Sequence, residues 1–319
     1  MLPVQTSSDK FIYSDDNKHY HTLNYHLRHT FGSKTVRIPL DAGFTCPNID
    51  GKCAVGGCIY CSDRGSGDFA ESALMPLEQQ YFIMRQKMAK KWDSARFIPY
   101  LQAHTNTYAP LERLKAIYEK CLALPDVCGF AVATRADCIT EDIADYFADI
   151  AKRTYLTVEL GLQTVHDATA ELINRGHTFE EFLHGYNLLK ERGINICVHL
   201  INGLPGEDRR MMLENVRSVA KLKPHSVKLH LLYILDYAPI ADMYLRGEFE
   251  ALTREEYVDI IVSQLELLPA ETVIGRLTGD APKEHLVAPM WSLKKFCVLN
   301  EIDKEFVRRD SFQGKYADK

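Results

Sequence analysis

Long apolar runs are missing from this chain: none approaches the roughly 20 residues that a membrane helix needs. The opening residues, MLPVQTSSDK, lack the basic-then-apolar order of a secretory leader. A spanning helix is thereby excluded, and the cytosol is the expected compartment. Low-complexity tracts and short repeats are absent as well. Excess positive charge is also lacking: 38 Lys and Arg stand against 43 Asp and Glu, a formal net charge of -5. A generic nucleic-acid binder carries the opposite sign, although a local basic patch suffices for an RNA substrate. Such a concentration occurs within residues 1–40, where Lys10, Lys18, Arg28, Lys34, Arg37 and four histidines are accompanied only by Asp9, Asp15 and Asp16. This short arm reads either as a solvated face or as an RNA contact.

What is present is an ordinary globular composition: 319 residues, 46% hydrophobic and 25% charged, enough for one large domain or two smaller ones. The nine cysteines do not suit a disulfide framework, being odd in number and unevenly placed. Cys121, Cys128, Cys138, Cys197 and Cys297 are scattered. The stretch FTCPNIDGKCAVGGCIYC (44–61), by contrast, holds Cys46, Cys53, Cys58 and Cys61. Clustered thiols in a reducing compartment bind metal more often than they pair. Four thiolates would close a tetrahedral zinc site, whereas three would hold an iron–sulfur cluster with one iron left open. No second cysteine cluster follows, so an auxiliary iron–sulfur centre is not expected.

From residue 35 onward, short apolar runs alternate with amphipathic stretches. Strands are predicted at 35–40, 96–103, 129–134, 156–162, 195–202 and 226–234, with helices near 76–92, 110–123, 140–152, 166–174, 179–192 and 207–221. Six strands each followed by a helix or long loop predict parallel β/α units. Spacing alone leaves open whether they form a barrel or an open doubly wound sheet. Ahead of them, Tyr20, Leu23, Leu27 and Phe31 share one face of a predicted helix over 18–31, ended by Gly32. After about 235 the pattern changes. LTREEYVDIIVSQLELLP predicts a helix with Thr253 as N-cap and Glu256 as its capping-box partner; TVIGRLTG predicts a strand, and WSLKKFCVLNEIDKEFVRRD a last helix. The expected division is an N-terminal arm (1–34), a core domain (35–235) and a C-terminal α+β extension (236–319).

Polar residues and glycines collect where the strands end: the cysteine loop after the first, then AHTNTYAP, TRAD, ELGLQT, HLINGLPGE and HLLYILD. Ligands bind at this end of β/α sheets, so six such clusters predict one common site. Glu159 and Gln163, four apart around Gly161, are either buried polar groups needing partners or ligand contacts. Gly203 and Gly206 permit close backbone approach around Pro205. Gly176 in NRGHT suits a helix C-cap, with Arg175 as a last-turn cation.

Taken in order and spacing, LDAGFTCPNIDG…GGCIYCS, HTNTYAP, ATRAD, VELGLQT…INRGHT, HLINGLPGE, VKLHLL and RLTGDAPKEHLVAPMWSL resemble the radical SAM superfamily. More closely they resemble its YhcC/YtqA family, which is related to the catalytic subunit of Elongator-type tRNA modification enzymes. The resemblance covers nearly the whole chain. It implies a partial (β/α)6 TIM-type barrel and a [4Fe-4S] cluster on Cys46, Cys58 and Cys61, in a widened Cys-x11-Cys-x2-Cys loop. Three thiolates leave one iron free to chelate S-adenosylmethionine (SAM), whose reductive cleavage yields a 5′-deoxyadenosyl radical. Cys53 departs from the pattern and is expected to be a bystander, because a fourth thiolate would close the site. The zinc alternative needs two close pairs, and the six residues between Cys46 and Cys53 match compact zinc motifs poorly.

The resemblance also assigns roles. Thr105, Asn106 and Thr107 are implied at the SAM amino group, and Gln163 and Arg175 at its ribose and carboxylate. His199 and the Gly203, Leu204 and Pro205 backbone would flank ribose and adenine, with Tyr60 packed near adenine and Glu159 among the cofactor contacts. Arg135, Asp137, Lys228 and His230 would share the barrel mouth, holding SAM or substrate. A flavodoxin or ferredoxin is the implied electron donor.

The YtqA-like branch is associated with converting carboxymethylaminomethyl-(2-thio)uridine to its aminomethyl form at the tRNA wobble position. This chain shares HYHTLNYHLR and CSDRGSGDFA with that branch, making tRNA the expected substrate. A radical SAM enzyme acting on a small molecule or protein is the alternative, and a non-enzymatic metal-binding module a remoter one.

Overall fold

The computed structural model describes residues 11–317 apart from 63, 66, 68, 93 and 94. Lys10 of the basic arm and Asp63, Ser66 and Asp68 of CSDRGSGDFA lie outside the described residues. In chain order the elements are α1 (Leu23–Phe31), β1 (Thr35–Leu40), α2 (Leu77–Ala89), β2 (Arg96–Leu101), α3 (Leu111–Leu122), β3 (Gly129–Thr134), α4 (Glu141–Ala151), β4 (Tyr155–Gln163), α5 (Asp167–Leu172), α6 (Phe179–Glu191), β5 (Asn195–Asn202), α7 (Arg209–Leu222), β6 (Ser226–Leu231), β7 (Ile234–Leu235), α8 (Ile240–Leu245), α9 (Arg254–Leu267), β8 (Val273–Arg276), β9 (Leu286–Ala288) and α10 (Lys295–Arg308).

Seven parallel strands in the order β1-β2-β3-β4-β5-β6-β8 curl into an open half-barrel. The order never reverses. A doubly wound sheet has a switch point where it does, so topology settles the choice that strand spacing left open. Both faces of β3 and β6 are almost wholly buried, as parallel strands under crossover helices require. The helices supply the cover with one apolar stripe each. In α4 this stripe is Ile143, Ala144, Phe147 and Ile150.

Local signals fix the helix starts. Thr140 and Asp208 cap α4 and α7 through their side chains, and full capping boxes join Thr178 to Glu181 at α6 and Thr253 to Glu256 at α9. Each such cap contributes about 1 kcal/mol.

Two differences from the expected pattern bear on the site. The first helix starts at Leu23 rather than 18, because Thr22 caps it and forms a parallel bridge to Ile274, drawing the preceding residues alongside β8. In addition, β8 from the C-terminal segment pairs with β6 in the main sheet, with Lys228 opposite Arg276. The C-terminal segment therefore supplies a barrel strand as well as the α9–α10 layer. Among the described residues, no helix is long and apolar enough to cross a membrane.

Candidate active site

A cavity of about 290 Å³ opens at the C-terminal ends of the strands, where the polar clusters converge. Cys46, Cys58 and Cys61 line it together. The eleven residues between the first two thiols fold as a small hairpin, closed by a bridge between Asp50 and Val55. Cys53 sits at its tip, exposed and off the cavity, with Sγ 3.7 Å from the Asp137 carboxylate. The loop is held from inside: buried Asn48 donates to Cys58 Sγ at 3.5 Å and to the Asn174 carbonyl. Asn174 in turn donates to the Gly57 carbonyl at 2.7 Å. Gly176 is left-handed (φ 75°), and a Cβ there would run into Asn48 Oδ1. NRGHT is thus a brace for the cysteine loop, and its glycine is set by close approach.

The thiols differ in chemistry. A hydrogen bond from Cys61, with further help from Tyr60, holds the Cys58 thiol down to about 7 in spite of its burial. Burial and the neighbouring Asp137 carboxylate push Cys53 the other way. The donor set therefore fits a cluster bound by three protein thiolates, with Cys46, Cys58 and Cys61 as the residues that would hold it. It does not fit a four-thiol zinc site. Among the described residues, the set of three ligand atoms lying within 4.8 Å of one another is Glu159, Cys197 and His199 rather than any set in the cysteine loop. That set does not suit a cation, because its carboxylate is already saturated by positive neighbours.

Glu159 on β4 is the hub of the cavity floor. Its Oε2 accepts from Lys228 Nζ (2.5 Å), Tyr100 OH (2.6 Å) and His199 Nε2 (2.9 Å), while Oε1 pairs with Arg37. Burial alone would raise its carboxyl, yet Lys228 and Arg37 hold it well below the usual carboxylate range. Burial, reinforced by Lys228, lowers His199 to about 4, so this imidazole is neutral at physiological pH. His230, whose ring centroid is 5.1 Å from that of His199, has a buried Nε2 with no hydrogen-bond partner.

One side wall is built from two arginines. Arg135 grips Asp137 with two parallel bonds of 2.9 and 2.8 Å and donates to the Arg175 carbonyl at 2.6 Å. Arg175, 1% exposed, gives its guanidinium to the carbonyls of Leu162, Thr164 and His177. Its donors thereby tie the end of β4 to the NRGHT brace. Gln163, in the left-handed region (φ 63°), lies at a β4–β5 register shift, and a Cβ on Gly161 would come within 2.6 Å of its amide nitrogen.

The cavity brings together Tyr60, Thr105, Arg135, Glu159, Gln163, Arg175, His199, Lys228 and His230 with the three cysteines. Six of the expected residues stand off its wall. Asn106 donates its amide to the carbonyls of Leu101, Ala103 and Ala133. Thr107 shares a 2.6 Å hydrogen bond with Thr134. Asp137 is turned toward Arg135. Gly203, Leu204 and Pro205 also lie off the cavity, with Leu204 in a separate apolar cluster against Ile173 and Leu232.

Sequence reasoning passed over Asn48, Tyr100, His177 and Arg276, and it placed Arg37 in the basic arm, whereas the structure pairs it with buried Glu159. A cation inside the apolar run TVRIPL and a tyrosine in RFIPYL were signals for the buried partners of Glu159. Arg276, an arginine inside the predicted strand TVIGRLTG, lines the cavity without pairing with Glu159.

A half-barrel whose mouth presents three thiols to one cavity is the arrangement of the radical SAM class. A family model described as the radical SAM superfamily matches residues 49–219, and one described as the Radical_SAM C-terminal domain matches 224–308. The chain belongs to the radical SAM superfamily, among the relatives of YtqA. The uncharacterized protein YtqA of Bacillus subtilis is 48% identical over 309 residues, covering 97% of this chain and 96% of that one. A tRNA uridine(34) acetyltransferase of Methanocaldococcus jannaschii is 31% identical over 133 residues, 41% of this chain but only 25% of that protein. The solved structure of the archaeal Elp3 of Methanocaldococcus infernus superposes with a TM-score of 0.64 at 18% identity, covering 86% of this chain and 63% of that one. At that identity it shows a shared fold. The family implies a [4Fe-4S] cluster and SAM.

Proposed function

We propose that this radical SAM enzyme modifies the wobble uridine of tRNA, converting carboxymethylaminomethyl-(2-thio)uridine to the aminomethyl form. The observation that carries this reading is one cavity with three thiols on one wall and, around its floor, three cations (Arg37, Lys228 and Arg276) to one buried carboxylate. An anionic group carried into such a chamber meets surplus positive charge. The relation to a protein named for tRNA uridine(34) supports the same substrate class.

When bound, the cluster and SAM supply an oxidant that removes a hydrogen atom from an unactivated C–H bond. The proposed target is the CH2 between the amine and the carboxylate. Loss of that hydrogen atom, then of the amine N–H proton and of one electron that the oxidised cluster would take back, leaves an imine, and addition of water to it releases glyoxylate and the aminomethyl base. The residues of this chain bind and orient. Cys46, Cys58 and Cys61 hold the cluster, while Thr105, Gln163 and Tyr60 face the space SAM would fill. Neutral His199 and the Glu159 hub keep the floor dry and fixed. A carrier of the flavodoxin or ferredoxin type would supply electrons.

The net charge of -5 favours a second reading, a small-molecule or protein substrate. Salt dependence separates the two, because phosphate contacts make tRNA affinity fall steeply with salt. The test is incubation of the reduced enzyme with SAM and carboxymethylaminomethyl-bearing tRNA, followed by nucleoside mass spectrometry. The reading expects 5′-deoxyadenosine together with the aminomethyl nucleoside. SAM cleavage over unchanged tRNA would refute it.

A further inference from the structure

We infer that Arg276, together with His230, forms an anion subsite that receives the carboxylate of the substrate. Five cationic side chains stand in or beside the cavity, and the structure commits four of them. Arg175 spends its donors on the carbonyls of Leu162, Thr164 and His177. Arg135 is clamped bidentately by Asp137. Lys228 and Arg37 are both paired with Glu159. Arg276 lines the same cavity from β8, opposite Lys228 in the strand register. Among the described residues, no hydrogen bond or ion pair engages its guanidinium. The other acid on this side of the cavity, Asp280, is taken by Lys295 at 2.9 and 3.0 Å.

A half-buried arginine without an acceptor, next to two cations that share a single carboxylate, leaves uncompensated positive charge. A planar carboxylate matches the fork of a guanidinium with two parallel hydrogen bonds. His230 lines the same wall, and its buried Nε2 has no hydrogen-bond partner. The residues implied for SAM lie on the cysteine loop and on or after β2, β4 and β5. Arg276 and His230 lie on β8 and β6, the strands contributed from the opposite edge of the half-barrel. The carboxylate subsite is therefore on the substrate side, and its arginine comes from the C-terminal segment.

This assignment rests on the carboxymethylaminomethyl reading for the identity of the anion, and its test does not. Sarcosine reproduces the methylene, amine and carboxylate of that group, and sarcosine amide lacks the charge. Binding of both is followed by ligand-observed NMR to the anaerobic holoenzyme. The wild type is expected to bind sarcosine and not the amide. Arg276→Gln should weaken sarcosine binding at least about tenfold, and Arg276→Lys should recover part of it, with iron content per chain as the check on folding. Equal binding of sarcosine and its amide, or equal binding of sarcosine by wild type and Arg276→Gln, would overturn the subsite. If sarcosine binds through Arg276 while tRNA is left unmodified, the subsite stands and the tRNA reading falls.

Discussion

The Cys53 thiol lies 3.7 Å from the Asp137 carboxylate, on the outer side of the loop whose other three cysteines face the cavity. A thiolate there would face a carboxylate, so the fourth cysteine is both misplaced and electrostatically unsuited as a ligand. Cys53→Ala is expected to keep full iron content and the visible absorption of the cluster after anaerobic reconstitution. Cys46→Ala should lose both. Iron lost in Cys53→Ala, or retained in Cys46→Ala, would reverse the assignment of ligands.

Gly176 makes a second prediction. A side chain there meets Asn48 Oδ1 and must adopt a left-handed backbone, at a cost of about 1–3 kcal/mol. Because Asn48 supports Cys58, the damage should reach the cluster: Gly176→Ala should reconstitute with less iron and lose it faster in air. Wild-type iron retention would show that the NRGHT brace does not support the cysteine loop.

The Glu159 hub is tested by removing its charge. Glu159→Gln leaves Lys228 and Arg37 buried without a counter-ion, and breaking such a buried set costs about 3–5 kcal/mol. Urea unfolding of the cluster-free protein should show a loss of that order, partly recovered in Glu159→Gln/Lys228→Met. A loss below about 0.5 kcal/mol, the range of an ordinary surface substitution, would mean the network is not strained by the missing charge.

At the opposite end of the barrel, His26 Nε2 and His225 Nε2 both hydrogen-bond Tyr155 OH, at 3.1 and 3.0 Å, with His21 packed beside them. Burial lowers all three, with His21 and His225 at about 4 against an ordinary 6.5. Below about 6.5 the unfolded chain takes up protons that the folded one refuses. Stability is therefore full above that pH and falls progressively toward pH 4. The thermal midpoint of the cluster-free Cys46→Ala protein should drop between pH 7.5 and 5, and His225→Asn should flatten the slope. A flat profile in Cys46→Ala would contradict the burial argument.

Much of the barrel could be read from the sequence, because alternation of apolar runs and capped helices is local information. Thr253 and Glu256 announced the start of α9 in plain residues. The strand order, and the entry of β8 beside β6, were not legible, since they depend on pairings between distant segments. At the site, the four clustered cysteines were visible as spacing, and the resemblance singled out Cys46, Cys58 and Cys61; partnership was legible in neither. Arg135 and Lys228 read as open cations in a barrel mouth, but folding gives each a carboxylate within 3 Å. Arg175 read as a ligand contact, and its donors are spent on three carbonyls. Arg276 went unnoticed because nothing in TVIGRLTG tells which sheet that strand joins.

The central claim is a radical SAM enzyme acting on a carboxymethylaminomethyl wobble uridine. Nucleoside mass spectrometry of bulk tRNA from a strain lacking this protein tests it most directly. The account predicts that carboxymethylaminomethyl-(2-thio)uridine accumulates while the aminomethyl nucleoside and anything made from it disappear, both restored by the wild-type gene but not by Cys58→Ala. A nucleoside profile identical to that of the parent strain would contradict it.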